Sequence, residues 1–115
     1  MRYKYRYMEL NWTINNLQSY VNYQGYSDVV YKVYWKLTAV ETINEKTYSA
    51  STVDITDLTL GDIQNFTPFE QLTKEQVVGW LVNSTNYSAI TASLADNINQ
   101  QANPTIVNLP PPWQQ

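Results

Sequence analysis

The sequence predicts an α+β domain: a small antiparallel β-meander of three or four strands, two C-terminal helices, and extended arms at the termini. Three stretches carry that expectation. Asp28 to Val40 places Val29, Tyr31, Val33, Trp35, Leu37 and Ala39 on one face, against Val30, Lys32, Tyr34, Lys36, Thr38 and Val40 on the other. Alternation of β-branched and aromatic residues is the mark of a strand with one buried face. Thr73 to Gln76, TKEQ, has the spacing of a capping box just ahead of an apolar run. Asn103 to Gln115, NPTIVNLPPPWQQ, cannot continue a helix past Pro104, and its three consecutive prolines fix a polyproline II segment before Trp113.

The first strand is read from the same alternation between Met1 and Leu17, where Met8, Leu10, Trp12 and Ile14 form a convincing buried row. Upstream, that row becomes Arg2, Lys4 and Arg6, with Tyr3, Tyr5 and Tyr7 opposite. Residues 1–7 therefore read either as an arm that pairs elsewhere or as the strand continuing past the sheet's edge. Asn15 to Ser27 is polar and dotted with tyrosines, so it is expected to be a connection turning at Gly25. After the organising strand, Thr42 to Lys46 gives a polar hairpin loop. Thr47 to Ile55 gives a thinner strand with Val53 and Ile55 as its core residues. Asp57 to Phe69 reads as a further short strand or a packed loop. The first helix runs through Val82 and presents Val77, Trp80 and Leu81. A second, from Ser84 or Asn86 to about Gln101, carries one stripe of Tyr87, Ile90, Leu94 and Ile98, the pattern of a helix lying on the outside of a sheet. Residues 1–102 thus form one domain, and 103–115 an extended arm.

Composition excludes more than it identifies. The 115 residues contain neither cysteine nor histidine, which removes disulfides, thiolate metal sites and every Ser-His or Cys-His nucleophile pair. A net charge of -3 disfavours nucleic acid, because phosphate neutralisation needs clustered cations. No apolar run approaches the length of a membrane span. A carboxylate pair would be enough for a glycosidase, but the odd spacing of Asp54 and Asp57 within a strand puts them on opposite faces. Asp57 to Asp62, DLTLGD, lacks the ligand ladder of a calcium loop. The expectation is a chain with no catalytic residues, no metal, no cofactor, and no nucleic-acid, membrane or small-molecule partner.

Binding surface is better represented. Ten tyrosines and four tryptophans in so short a chain favour protein interfaces. In the tail, Ile106, Val107, Leu109, Pro110, Pro111, Pro112 and Trp113 form a stiff apolar segment that loses little entropy on docking. Tyr3, Tyr5 and Tyr7 are candidates for the same role at the other end. Tyr20, Tyr23 and Tyr26 fall in one expected loop and offer the alternative of a carbohydrate- or receptor-binding patch.

The order of segments resembles a family of small proteins encoded by tailed phages, cyanophages and other marine phages prominent among them. The resemblance rests on Trp12 and Ile14 in the first strand, SDVVYKVYWKLTA, the YSAS strand, FTPFEQLTKEQVVGWL and the terminal NPTIVNLPPPW. It spans roughly Asn11 to Trp113 and leaves Met1 to Tyr7 outside. The resemblance implies a structural component of the virion, made in the host cytoplasm, whose partners are other virion proteins and further copies of itself. No catalytic residues are assigned in that family, so none carry over.

Overall fold

The computed structural model describes residues 8–60 and 66–113. Three antiparallel strands, β1 (Glu9–Tyr23), β2 (Tyr26–Ile43) and β3 (Lys46–Asp57), form one sheet in the order β1-β2-β3. A single 3₁₀ turn, Phe69–Gln71, leads to α1 (Lys74–Ser84) and α2 (Tyr87–Ala102). The α+β class and the meander are as expected. The described part of the segment between β3 and the 3₁₀ turn adds no fourth strand.

Both hairpins close through two residues in the left-handed region: Gln24 and Gly25 at φ 51° and 85°, Asn44 and Glu45 at 52° and 67°. Two consecutive positive φ values twist a turn with the same hand as the flanking strands, which is why such short connections hold long hairpins together. The loop expected over Thr42 to Lys46 therefore narrows to Asn44 and Glu45. The expected connection from Asn15 to Ser27 is corrected more heavily. It is strand on both sides of Gln24 and Gly25, paired from Asn16↔Tyr34 to Tyr23↔Tyr26. Ser19 to Tyr23 and Tyr26 to Val30 form a two-stranded ribbon beyond the point where β3 begins to pair, at Lys32↔Asp57, and its polar composition matches the exposure of most of its residues, Val29 and Val30 being buried.

Two bulges set the faces. Asn15 has no partner between Ile14↔Trp35 and Asn16↔Tyr34, and Tyr31 has none between Gln18↔Lys32 and Ser19↔Val30. An extra residue reverses which side chains point inward. Leu17 thereby joins the face of Leu10, Trp12 and Ile14. On β2, Val30 joins the cluster of Val33, Trp35, Leu37 and Ala39, and Val29 is buried as well, at 4% exposed, outside that cluster. On β3 the register Ala39↔Ala50 and Leu37↔Thr52 turns the even-numbered residues inward. Val53 and Ile55, expected in the core, are instead 68% and 50% exposed on the opposite face.

Both helices cover the inner face, with α2 lying over β3 and β2 and α1 beside it. The small side chains Ala50 and Ala39 on the sheet let the α2 residues Leu94 and Ile98 approach until both are buried. Val77 and Leu81 of α1 complete the core, with Trp80, Val78, Tyr87 and Ile90 half-buried around it. Trp12 meets Trp35 edge-on at 5.2 Å and stacks on Tyr87 at 6.0 Å. The Trp35 indole N–H donates to Thr56 Oγ1 at 2.8 Å, so the one polar atom of that buried ring is satisfied. At the start of α1 the Thr73 hydroxyl accepts from the Gln76 backbone N–H at 3.2 Å, half of the expected capping box. The other half does not form, because the Gln76 side chain donates to Thr67 Oγ1 instead.

Candidate interaction surfaces

The C-terminal tail leaves α2 at Asn103, whose backbone N–H still bonds the Asn99 carbonyl. Gln100 Oε1 accepts from both the backbone N–H and the hydroxyl of Thr105, which ties the first residues of the tail to the last turn of α2. Beyond that point the four largest apolar side chains are mostly exposed. Ile106 is 82% exposed, Leu109 79% and Trp113 81%, with Val107 at 60%. Pro110 and Pro112 are exposed and Pro111 is half-buried. Four large exposed apolar side chains in one short segment exceed the scattered single exposures usual on a soluble surface.

The ribbon of β1 and β2 carries the second surface. Tyr20 stacks on Tyr31 at 4.2 Å and on Tyr23 at 5.5 Å. Tyr26 lies apart from that group and packs against Phe66 at 4.6 Å. The three tyrosines expected in one loop are therefore split between two strands and two clusters. Tyr31, unpaired in the ladder because of the bulge, supplies the ring that the sequence reading missed. Rings stacked face to face use on each other the surfaces that a sugar would need. Tyr3, Tyr5 and Tyr7 lie outside the described residues.

The acidic residues are dispersed. Asp54 is paired with Trp35 on the inner face and Asp57 with Lys32 on the outer one, as their spacing predicts. The Asp57 carboxylate sits 3.5 Å from Lys32 Nζ, and Asp54 Oδ1 accepts from the next backbone N–H, at Ile55. Glu41 is the one buried charged side chain among the described residues. Within those residues, no cluster of three or more potential metal ligands occurs, and no helix is long and apolar enough to cross a membrane.

A three-stranded antiparallel sheet with two helices on one face and an apolar tail defines the class. The chain belongs to the DUF7936 family, a domain of unknown function, whose model matches residues 7–113. That match runs through the sheet, both helices and the tail as far as Trp113, so the tail is part of the family's domain. No curated protein and no solved structure matches the chain.

Proposed function

We propose that this chain is a non-enzymatic structural protein of a tailed-phage virion that works by subunit-subunit contacts. The observation that carries the reading is the tail, with Ile106, Val107, Leu109 and Trp113 between 60% and 82% exposed on the isolated chain. The resemblance of its segments to a phage family supplies the setting. Full burial of four such side chains contributes about 6–12 kcal/mol, comparable with an association cost of about 4–15 kcal/mol. One tail is thus a weak link, and a lattice of repeated copies makes it a strong one. A capsid-decorating or minor head position suits small domains with stapling arms. A tail, neck or fibre-attachment position uses the same contacts.

Removal of residues 103–115 tests this. The shortened protein is expected to remain folded, with its far-ultraviolet circular dichroism unchanged, and to be missing from purified particles. Incorporation at the normal copy number would sink the proposal.

The ribbon tyrosines support a second reading, a carbohydrate- or receptor-binding module, because Tyr20 is 45% and Tyr26 39% exposed at the projecting end of the sheet. Saturable quenching of tyrosine fluorescence by host polysaccharide would favour it. A flat titration would remove it.

A further inference from the structure

The two edges of the sheet are treated differently. The outer edge of β3 carries Lys46, Asp54 and Asp57, and two of its backbone groups are already engaged by side chains. The Ser49 carbonyl accepts from Gln101 Nε2 at 2.7 Å, and the Ile55 N–H donates to Asp54 Oδ1 at 2.7 Å. Charges and capped backbone groups are the devices that keep an edge strand from pairing with another chain. The outer edge of β1 has almost none of them. Its 15 residues, ELNWTINNLQSYVNY, include a single charge, Glu9, and no proline. Among the described residues no side chain bonds a backbone group of β1. Its pairing with β2 shifts register twice, but only the shift at Asn15 comes from an extra residue on β1 itself; the one between Gln18 and Ser19 comes from Tyr31 on β2. β1 also carries an apolar side chain without cover: Val21, in a strand and on the parity of Leu17 and Ser19, is 83% exposed.

We infer that the free edge of β1 is an interface with a second copy of this chain, the two β1 strands pairing antiparallel about a two-fold axis to give one continuous six-stranded sheet. The bulge fixes the position of the axis. With the axis between Asn15 and Asn16, the irregular points of the two strands meet, and the straight run 9–14 of each copy pairs with 17–22 of the other. Leu10 then faces Val21 of the second copy, Trp12 faces Ser19 and Ile14 faces Leu17. The half-buried inner row continues across the boundary and Val21 gains apolar cover. Glu9 falls opposite Asn22, so no like charges meet, and an isologous contact is satisfied by one self-complementary strand. The exposed tail is a poorer occupant of this edge. Pro104 and Pro110 confine any pairing to residues 105–109, a third of its length.

This interface is independent of the tail reading, and sedimentation over a dilution series separates the two. The full chain is expected to sediment as a dimer that dissociates on dilution. Val21→Lys, at a position too exposed to matter for folding of one chain, is expected to weaken the dimer by about tenfold or more, because each two-fold contact contains the substitution twice. A double tail variant, Leu109→Ser with Trp113→Ser, is expected to dimerise as the parent does. A monomeric parent at millimolar concentration overturns the inference. So does a Val21→Lys protein that dimerises normally, or a dimer that is lost only with the tail substitutions.

Discussion

Glu45 holds φ at 67° directly after Asn44 at 52°, and the strain of that turn is concentrated in the glutamate. Asparagine visits the left-handed region with little penalty, whereas a residue with a longer side chain does so at about 1–2 kcal/mol. Glycine there gives up part of that gain in unfolded-chain entropy. Glu45→Gly is therefore expected to stabilise the protein by about 0.5–1 kcal/mol, a rise of roughly 2–6 °C in thermal midpoint measured by calorimetry. Trp35 poses the opposite case. Its ring is 1% exposed and its indole N–H relies on Thr56. Thr56→Val is expected to cost about 1–3 kcal/mol in urea unfolding, with Thr56→Ser costing clearly less because the acceptor survives. A larger loss for Thr56→Ser than for Thr56→Val would mean that the methyl group of Thr56, and not its hydroxyl, supports the ring.

At the scale of elements, the helices were the most legible part of the chain. The stripe Tyr87, Ile90, Leu94 and Ile98 and the Thr73 cap identify α2 and α1 locally, because a helix depends on neighbours three and four residues away. The sheet was legible where its alternation is unbroken, as from Val33 to Ala39, and misleading where a bulge reverses parity. β3 shows the difficulty best. Its most apolar residues, Val53 and Ile55, face outward, while Ala50 is buried and shares the inner face with Thr52 and Thr56. Apolar content cannot tell a strand which face its neighbour needs. Substitutions check that register directly. Ile98→Ala, emptying a fully buried position, is expected to cost about 2–5 kcal/mol, whereas Val53→Thr is expected to change stability by no more than about 0.5 kcal/mol. A large loss at Val53 would place it in contact with something beyond the single chain.

At the scale of the whole molecule, the radius of gyration is 19.7 Å, against about 13 Å for a compact chain of similar length. The tail and the outer part of the ribbon lie beyond the core, which reaches along β2 as far as Val29 and Val30. That shape spends little of the chain on stability and much of it on reach. Removing residues 103–115 is expected to lower the unfolding free energy by no more than about 1 kcal/mol, the loss of the Asn103 and Thr105 bonds at the end of α2, since Ile106, Leu109 and Trp113 are about four-fifths exposed in the folded chain. A substantial loss would show the tail folding back on its own domain. The assembly reading and the two-fold pairing of β1 both belong to this scale, and each answers to its own experiment.

The α+β class, an antiparallel meander of three or four strands, both helices and the proline stop at 104 were readable from the residues alone, together with the absence of cysteine and histidine. Each of these follows from composition or from contacts close along the chain. Packing of the whole chain was needed to show which face each strand buries, that the tyrosine-rich stretch 15–27 is strand rather than loop, that Tyr31 and not Tyr26 joins Tyr20, and that Ile106, Leu109 and Trp113 stay exposed. Those outcomes depend on strand register and on bulges at Asn15 and Tyr31, where inserting one residue exchanges inside for outside. No local pattern reports such an exchange until the partner strand is in place.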